Sequence, residues 1–285
     1  MAPSPLWKRR ARRVLLVGDN AINRNLFATL DDERDGLLLC DDWGNLWRCD
    51  YDGGNLTELY VAGKDGHIGD LVPVAGGVYL IEPGGVWHAA LEGSEPKQVY
   101  DTYRGNQNNT LGGGYAVYAE GNLILADKIG IFTLDTLHPN ADGTLPVNYL
   151  TKEYDSDSGE NGLGYIVLNG RLYYWSEKKQ AMVSMKLDGT DIREVSKTRY
   201  WFHSATPSGC VLALFGSQPG MFGDERTDAA LYFPLDPENP TFDPDHCEKH
   251  IIQPDSFDFV LGDYYYHRDA EENETRVPLS ALKGE

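Results

Sequence analysis

Residues 165–195 read YIVLNGRLYYWSEKKQAMVSMKLDGTDIREV and contain four runs suited to β-strands, separated by short turns. The pairs Asn169-Gly170 and Asp188-Gly189 are typical of two-residue hairpin turns, in which both central positions adopt positive φ. Apolar and polar residues alternate in the third run, as in a strand with one buried face. The fourth run is short and charged, which protects an outer strand from pairing with other chains. The stretch therefore predicts one four-stranded antiparallel sheet.

The same pattern recurs along the chain, and each time a glycine precedes an apolar run. Successive glycines are separated by 41, 44, 49, 39 and 53 residues. A repeat of about 45 residues that contains four strands is typical of one blade of a β-propeller. We therefore predict an all-β fold, a six-bladed β-propeller of four-stranded antiparallel blades. The six glycines are Gly36, Gly77, Gly121, Gly170, Gly209 and Gly262.

The two ends of the chain complete this prediction. The sixth repeat lacks an outer strand, and the apolar run at 14–17 is the segment best suited to supply it. Such a closure joins both ends of the chain in one sheet and removes the last open edge. We expect residues 14–285 to form a single propeller domain, preceded by a flexible basic N-terminal arm at 1–13.

Two of the repeats resemble a known family. Tyr174-Trp175-Ser176-Glu177 is similar to the YWTD signature of LDL-receptor-type propellers, with Ser and Glu in place of Thr and Asp. Residues 47–53 are similar to the later half of such a repeat. The chain also resembles bacterial propeller domains of unknown function that share these phrases. The resemblance covers about residues 14–200. It implies a six-bladed propeller that binds proteins or peptides on its face.

Charge is unevenly distributed along the chain. Forty-four acidic and 25 basic residues give a net charge of −19, yet five of the basic residues lie within 8–13. An acidic body repels phosphates, so we expect no nucleic-acid partner. The basic run also suits nucleic acid or an anionic membrane. Without interleaved aromatic residues, however, it is more typical of a solvated tail.

Hydropathy and cysteine content bear on location. No stretch approaches about 18 apolar residues, so we expect no membrane span. The apolar run at 14–17 is too short for a secretory signal. The four cysteines show no disulfide framework, and Cys40 and Cys49 are predicted not to face each other. Reduced thiols favour a cytoplasmic location, or a secreted one if an export signal has been removed.

The binding surface is predicted from the segments that lead from one blade into the next. They are rich in Asn, aromatic residues, His and Arg, and loops on a rigid scaffold are where binding residues usually lie. Asn and Gly there also suit the backbone demands of tight connections. The predicted binding residues are Tyr103, Arg104, Trp201, His203, Asn108, His67, Asn23 and Arg24.

Metal sites are weaker candidates, and no cofactor is predicted. Asp155, Asp157 and Glu160 resemble a calcium loop, but Glu160 stands where that loop needs Gly. His246 and His250 are four residues apart on a predicted outer strand, which favours a solvated edge over a zinc site. The alternative is a calcium ion in the central channel, as in propeller lactonases. Its candidate ligands are Asn25, Asp70, Asn109, Asn161 and Asp258.

Catalytic motifs are missing from the sequence. It contains no G-x-S-x-G elbow, P-loop, dinucleotide fingerprint or H-E-x-x-H motif. We therefore predict a non-catalytic, monomeric binding module that recognises a protein, peptide or glycan. The alternatives are a calcium-dependent propeller hydrolase or lactonase and a purely structural subunit of a larger assembly.

Overall fold

The computed structural model is all-β over the part of the chain that it describes, with 26 short strands. The described residues are 9–11, 15–17, 20–22, 26–31, 36–41, 45–50, 55–60, 68, 70–82, 84–90, 95–102, 111, 116–153, 165–199, 201–205, 210–215, 229–234, 242–246, 250–252, 259–261, 264–268, 274–278 and 281. Within these ranges, no helix has the length and apolar character needed to cross a membrane.

The chain divides into two compact units, which we name the N-terminal unit (Leu6–Tyr149) and the C-terminal unit (Leu150–Glu285). Neighbouring strands pair antiparallel within every sheet, and sheets one to six are numbered in chain order.

The N-terminal unit contains sheets one to three and a hairpin, and the unit boundary falls inside the last strand of sheet three. Sheet one has the order β1 (Arg9–Ala11), β4 (Leu26–Asp31), β5 (Gly36–Asp41), β6 (Leu46–Asp50) and β7 (Thr57–Tyr60); the hairpin is β2 (Leu15–Val17) with β3 (Asn20–Ile22). Sheet two is β8 (Asp70–Val74), β9 (Gly77–Glu82), β10 (Gly85–Ala89) and β11 (Lys97–Asp101). Sheet three is β12 (Val117–Ala119), β13 (Asn122–Ala126), β14 (Ile131–Asp135) and β15 (Val147–Thr151).

The C-terminal unit contains sheets four to six. Sheet four is β16 (Tyr165–Leu168), β17 (Arg171–Ser176), β18 (Ala181–Lys186) and β19 (Arg193–Ser196). Sheet five is β20 (Trp201–Ala205), β21 (Cys210–Phe215), β22 (Ala229–Pro234) and β23 (His250–Ile252). Sheet six has three described strands, β24 (Phe259–Leu261), β25 (Tyr264–Arg268) and β26 (Glu274–Pro278).

These sheets confirm the all-β class and the antiparallel repeat of strands. In three sheets the pairing of the third and fourth strands shifts register at the same place. The shifts lie between Leu46 and Trp47, between Val86 and Trp87, and between Met182 and Val183. Such a β-bulge increases the local twist of a strand pair. Because it recurs at matching positions, the sheets are copies of one structural unit.

The predicted turns differ in detail. Asn169 and Gly170 both have positive φ (49° and 72°), as a two-residue hairpin turn requires. At the second predicted turn, Gly189 has φ 82° but Asp188 is not among the positive-φ residues. The turn is longer there, because Lys186 N–H donates to the carbonyl of Thr190 and Asp188 Oδ1 accepts from Thr190 N–H.

The ends of the chain differ from the repeat pattern. Arg9–Ala11, within the basic run, forms β1 and pairs with β4, so it occupies the edge of sheet one. Leu15–Val17 pairs with Asn20–Ile22, and the described strands of sheet six do not include it. The predicted closure by 14–17 therefore stays a prediction.

The core of the N-terminal unit lies between stacked sheets. Successive residues of β9 point to opposite faces, as in any strand. Val78 and Leu80 pack in a cluster with residues of sheet one, whereas Tyr79 and Ile81 pack with residues of sheet three. Cys40 belongs to the first of these clusters and Cys49 to a separate one around Leu39, and both side chains are buried. The two cysteines thus do not face each other, as predicted.

Residues 242–246, which follow the third strand of sheet five, pack against sheet four. The ring of Phe242 is fully buried, 5.6 Å from the Tyr173 ring and 5.3 Å from the Phe233 ring, with edge-to-face geometry in both pairs. Ser196 Oγ donates a hydrogen bond to Asp245 Oδ1 at 2.8 Å. The prediction that His246 lies on an outer strand is wrong. It lies in a turn with Nδ1 3.0 Å from Asp243 Oδ2, and the strand begins only at His250.

Phe242→Ala should lower the free energy of unfolding by about 3–5 kcal/mol, because it leaves a cavity between two aromatic rings. Chemical denaturation measures the change. Ile192→Ala is the matched control, since the Ile192 side chain is half exposed and its loss should have little effect. Equal destabilisation by the two substitutions would contradict the assigned role of Phe242.

Candidate functional site

The turns of each sheet lie at two opposite ends, because neighbouring strands are antiparallel. One end of each sheet holds the turn between the second and third strands, together with the start of the first strand and the end of the fourth. We name that end the connecting edge and the other end the far edge. In sheet four the connecting edge comprises residues 176–181 and 196–199, and the far edge comprises 168–171 and 186–193.

Buried polar side chains concentrate at connecting edges. Eight polar or charged residues are buried in the described part of the chain, and six of them lie at a connecting edge, either as the first or last residue of a strand or directly after it. Each buried polar group needs a hydrogen-bond partner, so such residues fix the backbone around them. The six are Asp70, Thr102 and Asp127 in the N-terminal unit and Thr151, Ser176 and Ser196 in the C-terminal unit.

Asp70 holds two backbone segments together. Its Oδ1 accepts from Leu71 N–H at 2.9 Å, and its Oδ2 accepts from Ala116 N–H at 2.8 Å. Ala116 directly precedes β12, so one buried carboxylate joins the first strands of sheets two and three. Among the described residues no three His, Cys, Asp or Glu side chains come together as a metal site. The observed role of Asp70 is therefore to anchor backbone.

Asp127 forms a second anchor, at the turn between β13 and β14. Its Oδ1 accepts from the backbone N–H groups of Ile129 and Gly130 at 2.7 and 3.0 Å. Its Oδ2 accepts from the Tyr149 hydroxyl at 2.6 Å. Burial, and next the hydrogen bond to Asp127, raises the pKa of Tyr149 far above its usual range. Burial, followed by the charges of Asp127 and Asp101, raises the pKa of Tyr100 to about 12. Both phenols therefore stay protonated at neutral pH.

At the connecting edge of sheet four, an aromatic ring, a basic group and an acidic group lie together on the side of the sheet that carries Trp175. The Trp175 ring is half buried, and the guanidinium carbon of Arg199 lies 5.6 Å from the ring centroid, within the range of a cation–π contact. An Arg199 guanidinium nitrogen is 3.2 Å from Glu177 Oε1. Arg199 stands in the segment that leads into β20, so this side chain belongs to a predicted binding connection.

The other side of the same sheet carries a second polar group. Ser176 Oγ donates to Glu153 Oε2 at 3.2 Å, and Lys178 Nζ donates to Glu153 Oε1 at 3.0 Å. The Lys178 hydrogen bond is the largest cause that lowers the pKa of Glu153 below its ordinary value. Thr151 accepts from the Tyr174 hydroxyl at 3.3 Å and from Glu153 N–H at 3.1 Å. Buried hydroxyls thus position exposed charged groups.

The structure describes only part of the predicted site. Trp201 and His203 lie in β20, and the pairing with β21 skips His203 between Phe202 and Ser204. Bulges of this kind redirect side chains and are frequent near functional sites. Asp70 is described as above. The remaining predicted residues lie outside the described ranges: Tyr103, Arg104, Asn108, His67, Asn23, Arg24, Asn25, Asn109, Asn161 and Asp258.

Trp175, Glu177, Glu153 and Lys178 were missed as site candidates. The predicted binding residues came only from segments between repeats, whereas Trp175, Glu177 and Lys178 lie at the turn between the second and third strands, at the same edge of the sheet. Glu153 lies in a segment between repeats, shortly after β15, and was not selected there. The signal was available in the motif Trp175-Ser176-Glu177, which ends the second strand and opens that turn.

Comparison with known proteins supports the fold. No protein-family model matches the chain, and no curated protein matches it either. A nidogen–laminin complex matches with a TM-score of 0.50 and 13% identity over 99% of this chain and 91% of the other. An oligogalacturonate lyase from Vibrio parahaemolyticus matches with a TM-score of 0.54 and 10% identity over 99% and 84%. An ancestral GH74 enzyme matches with a TM-score of 0.55 and 8% identity over 93% of this chain but 41% of its own length.

These likenesses concern the fold alone, since the identities are low. The structural neighbours are β-propeller proteins, and the four-stranded antiparallel sheets of this chain fit propeller blades. The chain thus has a β-propeller type of fold, and its neighbours include both binding proteins and enzymes.

Tyr149→Phe should lower the free energy of unfolding by about 1–3 kcal/mol at neutral pH, because the buried Asp127 carboxylate loses a donor. Urea unfolding measures this change. Tyr118→Phe is the control, since its hydroxyl is 3.4 Å from Thr136 Oγ1, a weak hydrogen bond whose loss should matter less. An equal effect of both substitutions would contradict the role of the Tyr149–Asp127 hydrogen bond as an anchor.

Tyr149 and Tyr100 together predict that the stability of the protein depends on pH. Tyr149 and Tyr100 both have a folded-state pKa raised above the ordinary 10.0, so their contribution to stability is complete below about pH 10 and is lost as the pH rises through the folded-state values. Unfolding free energy measured against alkaline pH should therefore fall more steeply in the wild type than in Tyr149→Phe. Parallel curves would contradict the assignment.

Proposed function

We propose that this chain is a six-bladed β-propeller, closed by 14–17, that binds a protein partner through its connecting edges without catalysing a reaction. The connecting edge of sheet four is the part of that surface which the described residues define best. The observation that carries the proposal is the half-buried Trp175 with Arg199 over its ring and Glu177 paired to Arg199. The ion pair of Glu153 and Lys178 lies on the other side of the sheet at the same edge.

The composition of this edge suits an interface. Trp and Arg are enriched among the residues that dominate binding energy, and charged groups around them favour correct partners over wrong ones. The buried Ser176 hydroxyl donates to the Glu153 carboxylate and the buried Thr151 hydroxyl accepts from the Glu153 backbone N–H, so Glu153 is held in place before a partner arrives. Pre-organised groups lose less conformational entropy on binding. Tyr103 and Arg104, in the segment that follows β11, and Trp201 and His203, in β20, remain the proposed anchors.

The comparisons support a partner of protein character. One similar fold belongs to a complex of nidogen with laminin, which is a protein–protein assembly. Another similar fold is that of an oligogalacturonate lyase, which keeps a second candidate open: an enzyme with calcium in the channel, for which Asp70 and the other carboxylate and amide side chains named above would be ligands. Both Asp70 oxygens accept from backbone N–H groups, which supports a structural role for this side chain, and we therefore favour the binding module.

Charge-neutralising variants on the two edges of sheet four test the proposal. The immobilised protein is used to capture partners from an extract of its source organism, with quantitative mass spectrometry as the readout. The double variant Arg199→Ala and Lys178→Ala should reduce capture about tenfold or more, which corresponds to about 1.4 kcal/mol of binding free energy. The matched control is Arg193→Ala with Lys186→Ala, which removes the same charge from the far edge of the same sheet.

The control should keep wild-type capture, and both double variants should keep the wild-type melting temperature. Equal loss of capture in both variants, or no loss in the first, would contradict a recognition surface at the connecting edge. A rise in melting temperature on adding calcium would favour the enzyme, because a ligand that binds only the folded state stabilises it.

A further inference from the structure

The indole N–H of Trp175 is a buried donor with no acceptor among the described residues. Its Nε1 atom has no contact with solvent, and no hydrogen-bond partner is found for it within the described residues. Buried Trp N–H groups usually have an acceptor, and a buried N–H group that makes no hydrogen bond is energetically unfavourable. Tyr174, the preceding residue, follows the usual rule, since its buried hydroxyl donates to Thr151 Oγ1. Among the described residues Tyr174 therefore has an acceptor oxygen for its buried donor, whereas Trp175 has none.

Arg199 is the described cationic group over this ring, and its ion pair is loose. The Arg199–Glu177 distance of 3.2 Å exceeds the 2.8 Å of Arg171–Asp191 and the 2.7 Å of Arg193–Asp191 at the far edge. Charge-assisted pairs are strongest at the shorter distances. The side chains of Arg199 and Glu177 are also 33% and 36% exposed, and exposed ion pairs contribute little stability. A competing carboxylate can therefore take the place of Glu177.

The local charge suits such a competitor. The described connecting-edge residues of sheet four and the adjoining end of β15 carry five basic residues and two acidic ones, in a chain whose net charge is −19. The basic residues are Lys152, Lys178, Lys179, Lys197 and Arg199, and the acidic ones are Glu153 and Glu177. Two further carboxylates contact this set, since Glu194 pairs with Lys197 at 2.8 Å and Asp245 accepts from Ser196 Oγ at 2.8 Å, so five basic groups stand against four acidic ones. Charges separated by more than about 8 Å are largely screened at physiological ionic strength, so a docked partner responds mainly to this local set.

We infer that the connecting edge of sheet four binds a carboxylate side chain from an acidic segment of a protein partner, which displaces Glu177 from Arg199 and accepts from the indole N–H of Trp175. The inference rests on the proposed binding function and adds the chemistry of the partner. In the unbound protein, the carboxylate of Glu177 occupies this site. Because Nε1 of Trp175 is buried, the exchange of Glu177 for an external carboxylate requires the Arg199 side chain to shift on the Trp175 ring, so that the carboxylate can reach the indole N–H.

Peptide titration of the whole chain tests this inference. The probe is a capped peptide with three consecutive aspartates, and its comparison is the same peptide with asparagines. The readout is the set of indole N–H signals in ¹H–¹⁵N NMR spectra of ¹⁵N-labelled protein, with Trp175→Phe assigning the signal of Trp175. If that variant does not fold, the affinity measured by calorimetry on the surface variants below decides alone.

The expected result is saturable binding of the aspartate peptide, with a shift of the Trp175 indole signal, and binding at least about tenfold weaker for the asparagine peptide, as loss of a charge-assisted pair implies. Glu177→Gln should tighten binding, because it removes the internal competitor. Arg199→Gln should weaken it about tenfold or more, the effect of losing about 1.4 kcal/mol. Arg193→Gln at the far edge is the matched control and should leave the affinity unchanged.

Four outcomes would overturn the inference: no binding of the aspartate peptide, equal binding of both peptides, weaker or unchanged binding by Glu177→Gln, or binding of trigalacturonate in place of the peptide. The last outcome would identify the carboxylate as that of a sugar acid. Failure here with continued loss of partner capture in the Arg199 and Lys178 double variant would leave the binding function standing and refute only the acidic partner.

Discussion

Backbone hydrogen bonding at the connecting edges is the constraint on which the rest of the structure depends. Where the chain leaves one sheet for the next, N–H groups lose their partners in the strand ladder and still need acceptors. Buried side chains such as Asp70, Thr151 and Ser196 supply those acceptors. The connections therefore start from fixed points, and exposed charged groups next to them are held in defined positions.

The scaffold is the part of the protein that the sequence predicts best. Strand alternation and Asn169-Gly170 depend on neighbouring residues, so they can be interpreted locally, and both agree with the structure. Pairing between distant segments is different, because an apolar run can pair with any open strand edge of matching length. For that reason the pairing of Leu15–Val17 with Asn20–Ile22 and the strand at Arg9–Ala11 were not predicted, and the closure of sheet six by 14–17 stays a prediction.

The candidate site was predicted only in outline. The edge that carries the connections follows from strand order, and Arg199 lies in one of the segments selected in this way. What the sequence does not contain is the meeting of Trp175, Glu177 and Arg199, because the contacts join the end of β17 to a segment more than 20 residues further along the chain. The unpaired indole N–H is likewise invisible in a sequence, since it depends on which acceptors lie nearby.

Hydrogen–deuterium exchange of the chain, alone and bound to its captured partner, tests most directly whether the connecting edge of sheet four is the recognition surface. The account predicts slower exchange on binding at residues 176–180 and 197–199. Exchange at 187–192, on the far edge of the same sheet, should be unchanged. Slower exchange at 187–192 with no change at 176–180 would contradict the account.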